Sequence, residues 1–502
     1  MGTIATTSMK STIVRKLTRG AGRRLLYAIA SVGITASAHA ADLGIFNATP
    51  PVLPDLTWNG VTLIGAIDIA GQYERHGTPY AGVINSPGSL IYPSSTGPKF
   101  ILAPNQITQS FIGVKVEERL WNDLSFIGRL ETGFNPTTAD LVNGVKSAQL
   151  MNGIPLARQN MEGDSSRAGQ IFNGEAYGGF ALTNWGQVRA GRSNAVSADM
   201  LADYDPLVSN GFSLQGFNGT VYGMGSTATG RVDESIKYLN QIGMFRTEVL
   251  YAAPGTDTKV YYQGEVGIVR PEFSIDAYGG QSRDSISIGP LSGAANVGSQ
   301  FVGARVYDVV GYGILGKYVF DPSGLGYKTP VGKVTVSGGW SREDFSNPAD
   351  GGWSAGHETV GGYLIGPGLS TTGSSGGGVV NYAYTGGDRH IDSIFFAVKY
   401  QYDARWSAAA GYYRFIQNSY GFGVKSLPGI NATSYSATSC SSASYTNCSG
   451  AEDVISMRVD YDWNKNIKLY AGVAYSAVSG GLAFGYLSTK SYDPTVGMRY
   501  AF

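Results

Sequence analysis

Apolar and polar residues alternate one by one along many segments of the chain, which is the period of a β-strand rather than of a helix. In the segment ISMRVDYDW (455–463), every odd position is apolar and the even positions include Arg458 and Asp460. The C-terminal residues SYDPTVGMRYAF (491–502) repeat the pattern and end on Phe502. Such strands separate an apolar environment from an aqueous one.

The alternation predicts about sixteen strands. They are expected near residues 60–75, 106–119, 123–135, 171–183, 185–193, 231–241, 244–253, 258–269, 272–282, 303–320, 330–342, 391–403, 405–417, 452–463, 466–477 and 492–502.

The predicted connections alternate in length. Short turns such as WND (121–123) and NW (184–185) alternate with mostly long loops that are rich in Gly, Ser and Asn. The longest loops span about 76–105, 136–170, 194–230, 343–390 and 418–451. This layout predicts an all-β protein, an antiparallel transmembrane barrel with short periplasmic turns and long extracellular loops. A strand with a lipid-facing side cannot leave its edge unpaired, so the sheet must close, and sixteen strands leave an aqueous lumen.

The tryptophans support this interpretation independently. Five of the seven lie before the first predicted strand or close to a short turn. They are Trp58, Trp121, Trp185, Trp406 and Trp463. The indole ring favours the boundary between hydrocarbon and lipid head groups, so these residues predict an aromatic girdle at the periplasmic rim.

The start of the chain predicts export. Residues 1–40 hold six basic residues and no acidic one, followed by the apolar run LLYAIASVGITA and Ala38-His39-Ala40, the pattern of a secretory signal cleaved before Ala41. The remaining chain has 31 basic and 37 acidic residues and no run of about 20 apolar residues that could form a membrane helix. We therefore expect a signal peptide (1–40), a Pro-rich periplasmic segment (41–59) and a barrel (60–502).

Few residues in the exported part favour covalent or metal chemistry. Cys440 and Cys448 enclose seven residues, and in an exported protein this spacing favours a disulfide over a metal or redox role. The histidines His76, His357 and His390 all fall in predicted loops. The sequence therefore predicts no catalytic residues, metal or cofactor.

Several segments resemble the Gram-negative general porin family, whose members are trimeric sixteen-stranded barrels. They are FIGVKVEERLWNDLSFIGRLETGFNP (111–136), AYGGFALTNWGQVRAGRSN (176–194), GRVDESIKY (230–238) and YDPTVGMRYAF (492–502). The chain departs from the family pattern at Phe111, where an Arg is common, at Val116, where a Gly is common, and in its Pro-rich start.

The resemblance implies a site. The third long loop (194–230) is expected to fold into the lumen and to place its acids opposite basic residues on the wall. Those acids are Asp199, Asp203 and Asp205, and the wall bases by family position are Arg192 and Arg231. By alternation alone, further bases point inward: Lys115, Arg129, Arg189, Lys237, Lys399, Arg458 and Arg499. Opposed charges across a narrow gap would sort solutes by charge; the alternative is that these charges pair along the wall.

The expected function is that of a passive outer-membrane porin that admits small hydrophilic solutes and ions. The resemblance implies a homotrimer surrounded by outer-membrane lipid, and a terminal Phe502 that the barrel-assembly machinery reads as a signal. A substrate-selective channel is an alternative of the same class; a barrel-anchored adhesin or enzyme is one of a different class. No feature of the sequence favours nucleic acid as a partner.

Overall fold

The computed structural model describes most of the strand framework. The described residues are 56–76, 98–137, 139, 141, 171–209, 211–217, 230–253, 260–289, 301–321, 332–348, 359–360, 363–365, 379–380, 387–420, 448–483 and 488–502. The predicted signal peptide and all of the Pro-rich segment before Leu56 lie outside these residues.

Sixteen strands follow one another along the chain. They are β1 (Val61–Glu74), β2 in two segments (Lys99–Pro104 and Phe111–Arg119), β3 (Leu124–Gly133), β4 (Ala176–Leu182), β5 (Gly186–Asn194), β6 (Arg231–Ile242), β7 (Phe245–Ala252), β8 (Val260–Val269), β9 (Phe273–Gly289), β10 (Phe301–Phe320), β11 (Lys333–Ser346), β12 (Arg389–Gln401), β13 (Trp406–Gln417), β14 (Gly450–Asp462), β15 (Ile467–Gly480) and β16 (Lys490–Ala501). Short strands lie at Thr57–Trp58, Thr359–Val360, Tyr363–Ile365 and Val379–Val380.

The sheet closes into a barrel. Each strand from β2 to β16 pairs antiparallel with the strand before it. The last strand, β16, then pairs with β1 in a register that places Ala66 opposite Ala501 and Gln72 opposite Thr495. The predicted sixteen-stranded antiparallel barrel is therefore confirmed.

The two faces of the wall differ as the alternation predicts. On β16, Val496 and Met498 are exposed on the outer face, whereas Thr495 and Arg499 are buried on the inner face. The five tryptophans of the predicted girdle are all exposed at the short-turn end. A second set of exposed aromatic side chains lies toward the other end of the strands: Tyr73, Tyr251, Tyr262, Tyr312, Trp340, Tyr412, Tyr475 and Tyr492. The outer surface is thus an apolar band between two aromatic girdles.

Some strand boundaries differ from the prediction. The predicted strand 106–119 begins only at Phe111, because residues 105–110 leave the sheet and turn into the lumen, starting from Asn105 with φ 60°. The strand segment Lys99–Pro104 lies within the predicted loop 76–105, so that loop is shorter than predicted. The predicted strand 171–183 begins only at Ala176, and β9 extends to Gly289, beyond the predicted end at 282. Sequence alternation cannot identify these breaks, since residues on either side keep the strand pattern.

His390 also departs from the prediction. It lies in β12 opposite Asp344 of β11, and not in a loop. Its Nδ1 is 2.5 Å from Asp344 Oδ1, on a half-exposed part of the wall. The same outer region holds Arg342 and Asp392, so His390 belongs to a network of surface charges.

Two findings concern the remaining predictions on the framework. Cys448 is buried and disulfide-bonded. Cys440 lies outside the described residues, so its pairing with Cys448 stays a prediction. None of the helices among the described residues is long and apolar enough to cross a bilayer.

Candidate channel constriction

The third long loop turns into the lumen after β5. We call residues 194–230 the inward loop; its described part holds α1 (Val196–Tyr204) and α2 (Leu214–Phe217). Apolar side chains recur in α1 at helical spacing, as Val196, Met200 and Tyr204. They are buried in one cluster with inward-facing wall residues such as Leu250. The loop is therefore packed against the barrel wall.

Lys237 of β6 fixes the first turn of α1. Its Nζ lies 2.5 Å from Asp199 Oδ2 of the loop and 2.5 Å from Glu248 Oε1 of β7. It also donates to the Asn194 carbonyl at 2.8 Å. All three ionic side chains are buried, so the base balances one loop carboxylate and one wall carboxylate. Asp199 and Lys237 thus meet in direct contact.

Arg246 of β7 fixes the end of α1. Its guanidinium pairs with Asp203 of the loop and with Asp276 of β9, and its Nε lies 3.0 Å from Glu265 Oε1 of β8. Tyr204 adds a hydrogen bond from its hydroxyl to Asp276 Oδ2 at 2.7 Å. Arg246 is absent from the predicted site residues. Arg246 lies two positions before the buried Glu248 on β7, so the alternation along this strand predicts that its side chain also faces the lumen.

Asp205 closes the loop on itself after α1. Its carboxylate accepts hydrogen bonds from the Leu207 amide at 2.9 Å, the Ser213 hydroxyl at 2.5 Å and the Tyr413 hydroxyl of β13 at 2.7 Å. Burial raises the pKa of Asp205 above its ordinary value, although these hydrogen bonds oppose the shift. Asp205 therefore joins both halves of the loop to the far wall.

The distal end of the loop reaches the opposite side of the lumen. The Gly211 amide donates to the Gln106 carbonyl at 2.9 Å. The Phe212 ring meets the Tyr470 ring of β15 edge-on, with centroids 6.4 Å apart. Arg458 of β14 lies over Phe212, 5.5 Å from the ring centroid. The loop thus spans the lumen from β6 to β15.

The other predicted wall bases sit in charge networks of their own. Arg192 donates to the carbonyls of Asn173 and Gly174 and pairs with Asp233 at 2.6 Å. Arg129 and Arg189 lie 3.6 and 3.7 Å from carboxylate oxygens of the buried Glu175.

Five predicted wall bases remain, of which Arg458 contacts the described part of the loop. Lys115 pairs with Glu117 at 3.0 Å on a partly exposed part of the wall. Arg231 opens β6 opposite Asn194 and is half-buried. Arg458 pairs with Asp460 at 2.8 Å while its Nη2 also reaches the Pro206 carbonyl at 3.4 Å. Arg499 and Lys399 face inward on β16 and β12, as the alternation predicts.

The arrangement can position charge and narrow a passage. Among the described residues, no group of three His, Cys, Asp or Glu side chains is placed to hold a metal ion. A closed barrel with an apolar exterior, a charged interior and a loop folded across its lumen defines a channel protein of the outer membrane.

The particular family follows from a sequence comparison. The family model for Gram-negative porins matches residues 28–481, so the chain belongs to the Gram-negative porin family. The predicted resemblance and the predicted function as an outer-membrane porin are thereby confirmed. No curated protein matches the chain.

Solved structures share the fold at low sequence identity. The anion-selective porin from Comamonas acidovorans has a TM-score of 0.52 at 15% identity, covering 88% of this chain and 99% of that one. OmpF of Salmonella typhi, in complex with daunomycin, has a TM-score of 0.45 at 14% identity, covering 88% and 98%. The trimer form of OmpT of Vibrio cholerae has a TM-score of 0.49 at 15% identity, covering 88% and 99%. Of these three structures, the porin from Comamonas acidovorans has a TM-score above 0.5 and the other two lie below it.

Proposed function

We propose that this porin conducts small hydrophilic solutes and ions by passive diffusion, with the inward loop as its narrowest zone. The observation that carries the proposal is the loop itself, which crosses the lumen and is fixed to wall residues as far apart as Lys237 and Tyr470. Passage through such a channel requires a suitable width and wall charge, and no covalent step.

The wall charges are proposed to act in two groups. Lys237 and Arg246 neutralise carboxylates of the loop and so set its position. Arg192 and Arg231 lie where the loop leaves and rejoins the wall, and we propose that they contribute to the field at the narrowest zone. Of the three loop acids, Asp203 has the largest exposed fraction, 27% of its side chain, and we propose that it faces the passage.

Planar-bilayer recording tests the proposal. Purified protein should give stable stepwise conductance that is linear in voltage near zero, and the reversal potential in a salt gradient should report its preference for cations or anions. Heat-denatured protein from the same preparation is the control. A native protein that gives no steps would contradict the proposal and favour a barrel whose function lies in its loops.

We also propose a homotrimer, exported by the signal peptide and assembled through its terminal Phe502. The wall is low at β4 and β5, with 7 and 9 residues, and at β7, with 8, compared with 17 and 20 in β9 and β10. Exposed apolar side chains such as Phe180 and Val188 cover this low side, which suits a subunit contact better than a full bilayer. Light scattering of the detergent-solubilised protein should give three times the monomer mass after subtraction of detergent; a monomer mass would contradict the trimer.

A further inference from the structure

One carboxylate on the first strand organises the side of the lumen that the inward loop reaches last. Asp68 of β1 is fully buried. Its Oδ2 accepts hydrogen bonds from the amides of Ile107 at 2.6 Å and Thr108 at 2.9 Å. Its Oδ1 accepts one from the Tyr470 hydroxyl at 2.6 Å. The predicted site residues do not include Asp68.

The two amides belong to the segment that interrupts β2. We call residues 105–110 the inner strap. Its ends are fixed to the Asp68 backbone, since the Asn105 amide donates to the Asp68 carbonyl at 3.0 Å and the Asp68 amide donates to Ser110 Oγ at 2.9 Å. Within the strap, the Ser110 amide donates to Asn105 Oδ1 at 2.8 Å. Asp68 therefore binds the strap at both ends and in its middle.

The strap in turn holds the inward loop. Gln106 accepts the Gly211 amide on its carbonyl, and Gln72 donates to Gln106 Oε1 at 3.3 Å. The approach is close, because a Cβ added at Gly211 would lie 2.4 Å from Gln106 Oε1. Any displacement of the strap must move Gly211 or break this contact.

The hydroxyl partner of Asp68 holds the next loop residue. The Tyr470 ring packs edge-on against Phe212, and a Cβ added at Gly472, two residues further along β15, would lie 2.5 Å from Phe212 Cε1. Gly472 thus leaves the space that the Phe212 ring occupies. Asp68 orients Tyr470, and Tyr470 fixes Phe212.

We infer that Asp68 is the positioning residue for the distal end of the inward loop, and that it thereby sets the width and steadiness of the passage. The inference rests on the proposed role of this loop as the narrowest zone. Its basis is that Gly211 contacts the strap and Phe212 contacts Tyr470, and that both connections lead to the same carboxylate, whereas the contact of Phe212 with Arg458 is separate. Replacement by asparagine keeps the shape but leaves a single acceptor oxygen. The amide group must either turn its N–H groups toward the strap amides, which breaks that contact, or donate to the Tyr470 hydroxyl, which reverses that hydrogen bond and removes its charged acceptor.

The test compares single-channel records of variants. In D68N, the inward loop should move between positions, so we expect at least a tenfold increase in brief conductance transitions and a changed mean conductance. D493N is the matched control, since Asp493 is a buried inward-facing acid of β16 whose carboxylate accepts hydrogen bonds from the Ser491 hydroxyl and the Arg75 amide. D493N removes the same charge and should show no more conductance transitions than the wild type.

Two milder variants protect the test against failure of D68N to assemble. Y470F removes only the hydroxyl whose hydrogen bond Asp68 accepts. G211A places a methyl group against the Gln106 side chain and 3.1 Å from the Gln106 carbonyl oxygen, so either the Gln106 side chain or the loop must shift, while Asp68 is unchanged. Both should raise the transition frequency, and Y470F combined with D68N should add little, because the two residues act in one connection.

The outcomes separate this inference from the proposed function. A silent wild-type protein would contradict the porin proposal itself. If the wild type conducts, and D68N, Y470F and G211A show no more conductance transitions than D493N, only the role of Asp68 is overturned. A shift in ion selectivity that is equal in D68N and D493N, without added transitions, would likewise show that Asp68 acts by charge alone.

Discussion

The ring of Phe502 lies against Gly65 across the seam that closes the barrel. The two residues exchange backbone hydrogen bonds, with both N···O distances at 3.0 Å. A Cβ added at Gly65 would lie 2.4 Å from Phe502 Cζ. Next to this pair, the Leu63 amide donates to the Leu56 carbonyl at 3.2 Å. The residues before β1 therefore continue the hydrogen bonding to β1 beyond the point where Phe502 ends the last strand. An aromatic end to the chain therefore covers a glycine and completes the seam.

Replacement of Gly65 by alanine should weaken the seam. The added methyl group has no space under the Phe502 ring, and such overpacking costs about 1–3 kcal/mol. Thermal denaturation followed by circular dichroism should show a lower midpoint for G65A. The control is G264A, because a Cβ added at Gly264 meets only the Glu248 carbonyl oxygen, at 3.8 Å. Equal midpoints for the two variants would contradict the packing argument.

Deletion of Phe502 should reduce assembly more than conduction. The deletion uncovers Gly65 and removes the terminal residue proposed as the assembly signal. We expect less folded protein in the outer membrane of producing cells, measured by immunoblot of unheated membrane fractions. Pores refolded from the deletion variant in detergent should keep nearly wild-type conductance. A normal yield of assembled protein in cells would refute the proposed role.

Removal of the Lys237 charge should release the start of the inward loop. In K237M, the carboxylates of Asp199 and Glu248 remain buried without their common base, and loss of one partner of a buried ion pair costs about 3–5 kcal/mol. The expected result is a larger and less steady single-channel conductance. The control, K115M, breaks a partly exposed pair with Glu117 that is worth about 1 kcal/mol or less. A conductance of K237M no different from K115M would exclude Lys237 as a support of the loop.

Replacement of Arg192 by alanine should alter selectivity. The side chain holds the Asn173 and Gly174 carbonyls and Asp233 beside the start of the inward loop. Its loss should shift the reversal potential in a salt gradient toward cations and change conductance. R414A removes an outward-facing arginine, 43% exposed and paired with Asp453, and should leave both values unchanged. If R192A also leaves them unchanged, Arg192 does not contribute to the narrowest zone.

Asp205 should give the stability a pH dependence of known sign. Because its folded pKa is raised by burial above the ordinary 3.8, the folded state binds the proton more tightly than the unfolded chain. Ionisation of Asp205 therefore lowers the free energy of unfolding as pH rises from 3.8 through the folded-state pKa. This loss of stability disappears on acidification. The midpoint of D205N relative to wild type should be higher at neutral pH than at about pH 4. A difference that is constant or that grows on acidification would contradict this sign.

The strand framework was accessible from the sequence because each strand carries its own signal. Alternation depends only on neighbours two positions apart, so it predicted that Val496 and Met498 face outward and Arg499 inward, as found. It missed the break at 105–110, where the pattern continues although Asn105 leaves the sheet. Arg246 follows the same parity rule on β7 and was accessible in principle.

The sequence alone therefore determined the barrel, its two faces and the position of its girdle, and the family resemblance implied that the third long loop turns inward. Only the tertiary structure decided what holds that loop. Asp205 meets Tyr413 across 208 positions and Asp68 meets Tyr470 across 402. Such contacts depend on the closure of the barrel, which brings the first and last strands together, and no local periodicity encodes which of many inward-facing groups will face each other across the lumen.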